Sequence, residues 1–430
     1  MEFGLLLVVV QWTAIAFLSL MLFLALFEPP LPYGYGEPPS HGPESEEFLR
    51  VLGALSGGQV HRRCTVTPFT NGESFYEAEL QAIREAQVSV NLEAYIFEKG
   101  EVTRRFLDVL TERARAGVKV NLVLDAVGSL ATWHGYFNAL RTAGGRVFFY
   151  HPIRWHTLPR INNRTHRELI VVDGLVAFLG GAGFADHWLF DTGRRQKSRR
   201  WRDSMFRVEG EAVLDLQSTF AENFLETAGE MLSDATYFPC CEGKGETVAL
   251  VVRGTPSAGR SSRTRMLFQA LIACAQKSIQ ITSPYFLPDR SARAELIRAM
   301  RERGVEVTIL MPGRHTDHVI TRVTSRRLSA PLMRAGARVY EYLPAMVHNK
   351  TMIVDGLWSV VGSSNFDYRS FGINDEVNLA ARDPLLAERL GDDFATDLSH
   401  SRLLTYRRWY RRGLFERAYE WVGWLLERQQ

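Results

Sequence analysis

The sequence predicts an α/β protein built as two tandem α/β/α sandwich lobes related by a pseudo-twofold axis, preceded by one N-terminal transmembrane helix. Three observations predict it. The chain opens on a long apolar run, short apolar strands then alternate with helical stretches, and the same ordered pattern is read twice through the remainder.

Composition sets the limits. At 430 residues, with 46% apolar and 23% charged residues, the chain can hold an anchor and two domains that each bury a core. A formal charge of +3 is too small to argue for nucleic acid as a partner. Cys64, Cys240, Cys241 and Cys274 have no C-x-x-C spacing, which excludes a disulfide framework and fits a reducing compartment. No cluster of metal-ligating residues is apparent, so neither a metal nor another cofactor is expected.

Residues 4–27 are interrupted mainly by Gln11, Thr13 and Ser19, and as a helix they reach about 36 Å, enough for a bilayer. A cleaved signal would need a basic start, a shorter apolar core and a small-x-small site, and none is present. Residues 1–27 are therefore expected to be a retained anchor. Arg50, Arg62 and Arg63 follow it, which favours a cytoplasmic catalytic part. Proline and glycine then exclude helix over a spacer, 28–44.

The first lobe is expected over 45–240 and the second over 241–400. Strand 88–97 (VSVNLEAYIF) pairs in the repeat with 279–286 (IQITSPYF), and helices near 101–115 and 292–303 end at Gly117 and Gly304, which open the strands GVKVNLVL and GVEVTILM. RVFFY from Arg146 matches RVYEY from Arg338. Each is followed by a histidine strand closing in Asp-Gly, at Asp173-Gly174 and Asp355-Gly356.

The second histidine strand reads His-x-Lys-x-x-x-x-Asp through His348, Lys350 and Asp355, and is followed by Gly362-Ser363-Ser364-Asn365. Residues two apart on a strand share a face, so His348 and Lys350 can address one phosphate, a nucleophile beside a cation. Gly362 permits close backbone approach, and Asn365 can donate to a phosphate oxygen.

These residues resemble the signature of the phospholipase D superfamily, whose members carry it twice. EAYIF (93–97), ITSPYFLP (281–288) and NFDYRSFGINDE (365–376) resemble the form these segments take in the bacterial cardiolipin synthases. The resemblance covers nearly all of the chain after the spacer. It implies a phosphatidyltransferase of the bacterial cell (inner) membrane, single-pass, that acts through a phosphohistidine without a cofactor, with anionic phospholipids as partners, phosphatidylglycerol and phosphatidylethanolamine among them. It also implies a catalytic set of His166, His348, Lys350, Asp173, Asp355, Glu376 and Asp203. Glu376 is expected to orient His348, and Asp203 to orient His166. Tyr285, Arg167, Glu168, Ser364 and Asn365 form the implied substrate-binding set. A phospholipase D hydrolase, in which water resolves the intermediate, and a catalytically weakened lipid-binding homologue stay open beside this reading.

The first lobe departs from the pattern. His166 and Asp173 are in place, but Glu168 stands where lysine is expected, and Gly180-Gly181-Ala182-Gly183 puts glycine where asparagine is expected. Glu168 should face the cleft with His166 and, as an anion, raise that imidazole's pKa, suiting His166 to acid/base work and His348 to attack. Arg164, Arg167 or Lys350 could neutralise Glu168. Alternatively, Glu168 contacts a headgroup hydroxyl or ammonium.

Two further segments suggest a membrane surface. Residues 194–202 (RRQKSRRWR) are basic with one aromatic, and the expected C-terminal helix, 401–430, interleaves arginines with Trp409, Tyr410, Trp421 and Trp424.

Overall fold

The computed structural model describes residues 2–27, 41–132, 134–155, 162–190, 200–240, 242–256, 262–411 and 413. Most of the spacer (28–40), the basic stretch up to residue 199 and most of the aromatic tail (414–430) lie outside the described residues. Helix α1 (Glu2–Phe27) forms where the apolar run predicts one. Its described side chains, from Leu6 to Met21, are exposed. Those at 22–27 lie outside the described set, and among the described residues no helix is long and apolar enough to cross a membrane.

The first lobe contributes β1 (Val60–Thr70), β2 (Ser89–Ala94), β3 (Lys119–Asp125), β4 (Arg146–Tyr150), β5 (Leu169–Val172), β6 (Val176–Gly180) and β7 (Ser204–Gly210). The second contributes β8 (Thr247–Gly254), β9 (Ser278–Thr282), β10 (Glu306–Pro312), β11 (Arg338–Tyr342), β12 (Thr351–Val354), β13 (Trp358–Gly362), β14 (Glu376–Arg382) and β15 (Ser401–Leu404). They form one 15-stranded sheet in the order β15-β11-β10-β9-β12-β13-β14-β8-β1-β7-β6-β5-β2-β3-β4. Apart from β15, the order reads the same from both ends. The two lobes therefore share one sheet rather than forming separate sandwiches. Antiparallel pairing of β1 with β8, Val60 opposite Leu250 and His61 opposite Ala249, joins them and leaves neither lobe an open edge at the centre.

Helices cover the faces: α2 (Glu46–Ser56), α3 (Gly72–Glu85), α4 (Glu101–Arg115), α5 (Asn138–Thr142) and α6 (Val213–Ala228), then α7 (Arg263–Cys274), α8 (Arg290–Arg303), α9 (Val319–Ala335), α10 (Tyr368–Gly372), α11 (Pro384–Ser399) and α12 (Tyr406–Tyr410). Parallel strands need crossovers, and α4 supplies one between β2 and β3, α8 another between β9 and β10. The apolar stripe of α2 does not stay with the first lobe. Phe48, Leu49 and Leu52 bury in the core of the second, where Phe48 meets Trp358 edge-on at 6.2 Å and the Trp358 indole donates to the Pro43 carbonyl at 2.7 Å. In return, Leu386 and Leu390 of α11 share a core with Phe206 and Leu216 of the first lobe. Each such side chain contributes about 1.5–3 kcal/mol of burial, so the exchange ties the lobes together as the shared sheet does.

Asp173 and Asp355 close β5 and β12, at the strand ends opposite to the histidines. Both sit at positive φ, 53° and 57°, each followed by a glycine at 66° and 64°, the pair of left-handed residues a tight hairpin requires. The Asp173 carboxylate accepts from the backbone N–H groups of Gln87, Val88 and Ser89, and that of Asp355 from Gln276, Lys277 and Ser278, all at 2.7–2.9 Å. The catalytic expectation for both aspartates is thus corrected: their oxygens are spent on pinning the starts of β2 and β9.

Candidate active site

Each histidine enters the site just before a short central strand, and each is fixed by the opposite lobe. His166 N–H donates to the Asp375 carbonyl at 2.8 Å, and Asp375 N–H to the Arg164 carbonyl at 2.9 Å. The equivalent pair is His348 N–H to Arg202 and Arg202 N–H to Met346, at 2.7 and 2.8 Å. These are small parallel bridges across the pseudo-twofold axis, Thr165 with Asp375 and Arg202 with Val347. The residue after each bridge is an acid, Glu376 or Asp203.

The bridges therefore cross the carboxylates between lobes. His166 Nδ1 lies 3.0 and 3.2 Å from the two oxygens of Glu376, and His348 Nδ1 lies 2.7 Å from Asp203 Oδ2. This corrects the expected pairing of Glu376 with His348 and of Asp203 with His166. Each carboxylate has a second, neutral donor. The Ser363 hydroxyl donates to Glu376 Oε2, and the Trp188 indole donates to Asp203 Oδ2 at 3.0 Å. With Nδ1 committed to a carboxylate, the Nε2 of each ring is the nitrogen left for chemistry.

His348 and Lys350 are buried, at 5% exposure each. The Lys350 ammonium lies 2.9 Å from His348 Nδ1 and 3.2 Å from Nε2, and it donates to the His348 carbonyl at 2.9 Å and the Gly181 carbonyl at 3.4 Å. Burial and then the Lys350 charge lower the His348 pKa, against the pull of Asp203, which favours the neutral ring. Burial alone would raise the Asp203 carboxyl, but the His348 and Lys350 side chains hold it below the usual range. Trp201 and Trp188 flank the His348 ring, at 5.1 and 5.6 Å between centroids.

Both histidines line one cavity of about 560 Å³, together with Glu168, Tyr285, Asn365 and Asp317. Asn365 is buried, and its Oδ1, an acceptor, has no partner. Tyr285 donates its hydroxyl to Asp317. Other expectations do not hold. Arg167 is fully buried on the far side of its strand, donating to the Thr219 carbonyl and to Glu222, because neighbours one residue apart point to opposite faces. Ser364 accepts from Asn378 at 2.8 Å, and the serine that serves the site is Ser363.

Glu168 does reach the cavity. It is 4% exposed, its Oε1 accepts from the backbone N–H groups of Tyr95 and Ile96 at 3.2 and 3.3 Å, and its Oε2 has no partner. Burial pushes its pKa well above the ordinary carboxylate value, against those two N–H groups and Lys350, which favours the protonated form over the expected anion. Arg164 and Arg167 do not pair with it: their carboxylate partners are Asp125 and Glu222. Asp317, Trp188 and Ser363 were missed in the sequence. Only Ser363 carried a signal there, as the serine of its own Gly-Ser-x-Asn segment.

Comparison with known proteins gives the family. A family profile described as "Cardiolipin synthase, PLD-like domain" matches residues 80–215 and 268–398. The chain is 31% identical over 387 residues to cardiolipin synthase 1 of Bacillus anthracis, covering 87% of this chain and 74% of that one. It is 32% identical over 406 residues to a cardiolipin synthase of Geobacillus kaustophilus, covering 94% and 80%. Among solved structures, the phosphatidylserine synthase of Haemophilus influenzae superposes with a TM-score of 0.63 over 90% of this chain and all of that one, at 14% identity, a likeness of fold.

Proposed function

The chain belongs to the cardiolipin synthase family built on the phospholipase D-like domain and is a phosphatidyltransferase, and we propose that it moves a phosphatidyl group between phospholipids through a phosphohistidine on His348. In the first half-reaction His348 Nε2 attacks phosphorus, the bond from phosphorus to the headgroup oxygen breaks, and His166 gives that oxygen its proton. In the second, His166 takes the proton of an incoming lipid hydroxyl, the oxygen attacks phosphorus, and the phosphorus–nitrogen bond breaks. Lys350 and Asn365 hold the non-bridging oxygens, while Asp203 and Glu376 fix the tautomers and stabilise each ring as it gains charge.

One observation carries the assignment of roles: the His348 side chain is the more buried of the two, 7% exposed beside the Lys350 ammonium, whereas that of His166 is 14% exposed, open to a departing or arriving alcohol. The substrates in this reading are phosphatidylglycerol and phosphatidylethanolamine. Helix α1 anchors the enzyme as a single pass in the cell membrane, and the spacer lets the cavity reach the cytoplasmic leaflet. The test is a rapid quench of the detergent-solubilised full chain with phosphatidylglycerol labelled in its phosphate. Label on His348, with cardiolipin formed by the wild type and not by His348→Asn, is the expected result. Label on His166 overturns the assignment of roles, and phosphatidic acid as the sole product makes the enzyme a hydrolase.

A further inference from the structure

The two halves of the cavity are built from equivalent positions with opposite hydrogen-bonding character. Glu98 N–H donates to the Phe184 carbonyl and Leu287 N–H to that of Phe366, both at 2.9 Å, which aligns the segment after β2 with that after β9 residue for residue. Tyr95 and Ile96 are then the counterparts of Pro284 and Tyr285. Proline has no N–H, so the two donors that grip Glu168 Oε1 cannot both be reproduced beside Lys350. The segment after β2 also closes over Gly183, the counterpart of Asn365. A Cβ there would lie 2.8 Å from Ile96 Cβ, 2.9 Å from the Ile96 carbonyl oxygen and 3.0 Å from Glu168 Oε1. No asparagine side chain fits that place.

The replacements at 168 and 183 are thus one change. They remove a cation and an amide from the first-lobe half of the cavity and leave a single carboxyl, with Oε1 saturated and Oε2 unpartnered among groups that give it little charge compensation. The titratable groups around it are Lys350 and Asp203 from across the site, Tyr76 of α3, and Tyr95. A group in this setting is a poor phosphate clamp beside Lys350 and Asn365. It is well suited to an alcohol, because the unpartnered Oε2 can accept a hydroxyl's proton and, in the form that burial favours, can also donate one.

We propose that Glu168 is the specificity-determining residue of the acceptor half-site, where its unpartnered Oε2 holds a second hydroxyl of a polyol headgroup while the neighbouring hydroxyl is presented to His166. The inference rests on the phosphatidyl-transfer reading above and deepens it. The second lobe grips the phosphate being transferred, and the first lobe reads the alcohol that receives it.

The test is a competition of water-soluble acceptors on vesicles of phosphatidylglycerol with the full chain, comparing transfer to 1,2-propanediol with transfer to 1-propanol. The wild type should favour the diol. Glu168→Ala should lower the diol-to-propanol ratio about tenfold, the worth of one good hydrogen bond. Glu168→Gln, whose amide keeps the shape and a donor, should retain most of the ratio. An equal fall for both alcohols in Glu168→Ala, with the ratio unmoved, overturns the proposal and assigns Glu168 to the phosphate or to folding. Cardiolipin formed on the same vesicles with no transfer to either alcohol overturns this inference alone, whereas a wild type that forms no cardiolipin there overturns the lipid-to-lipid transfer reading on which it rests.

Discussion

Asp203 of the first lobe holds His348 of the second, Oδ2 to Nδ1 at 2.7 Å, while Asp203 is itself fully buried. The carboxylate is therefore a part of the nucleophile's half-site although it lies 145 residues away in sequence. Asp203→Asn keeps the shape but lets the amide donate to Nδ1, which selects the tautomer with its proton on Nε2. By the same logic as in serine-protease triads, kcat should fall roughly 10⁴-fold. In a quench experiment the covalent intermediate should fail to build up, whereas Glu376→Gln, acting on His166 in both half-reactions, should slow its release as well as its formation.

Trp188 shares the Asp203 oxygen with His348. Replacing it with phenylalanine removes one donor from the carboxylate, leaving a more basic acceptor for the imidazolium, so the His348 pKa rises. The acidic limb of the kcat/KM profile should then move to higher pH, while the alkaline limb stays in place. A uniform loss of rate at every pH would mean that Trp188 only fills space.

Gly181 makes room for the two charges at the centre of the site. A Cβ there would come within 2.8 Å of Asp203 Oδ1 and 2.9 Å of the Lys350 ammonium nitrogen. Asp203 is held by His348, Trp188 and the Ser204 N–H, so Lys350 is the group that yields. Gly181→Ala should cut kcat at least tenfold and raise KM for the phosphodiester, at a stability cost of about 1–3 kcal/mol read by denaturant titration.

The tandem repeat was legible because it rests on local patterns: apolar strands, helix-ending glycines and Asp-Gly turns that recur in one order. The crossing of the carboxylates was not. It depends on the Thr165–Asp375 and Arg202–Val347 bridges, which join segments far apart in sequence, and nothing within either motif reports which partner a histidine will meet. Asp173 and Asp355 misled for a related reason. They belong to the histidine motif by spacing, yet a strand of that length carries them to the other end of the sheet. The raised pKa of Glu168 follows from burial, working against two backbone N–H groups of another segment, and neither is a property of residue 168 in the sequence.

Glu93, fully buried beneath the first-lobe histidine segment, gives a prediction for stability rather than activity. Its Oε1 accepts from the Thr165 hydroxyl and from Asn223 at 2.6 Å, and its Oε2 has no partner. Burial raises its pKa from 4.5 to about 7, against the nearby Arg167 charge and the two hydrogen bonds. The native state then keeps a proton that the unfolded chain releases above its own value. The stabilisation is complete below about pH 4.5 and is lost as pH rises through about 7, up to about 3 kcal/mol in all. Glu93→Gln is neutral at every pH, so its stability relative to the wild type should increase between pH 5 and pH 8. Arg167 keeps Glu222 and Asp375 as counter-charges, which limits the cost of losing one acid. Urea titrations of both proteins at the two pH values check this, and a difference that does not change with pH would mean that Glu93 is ionised in the fold.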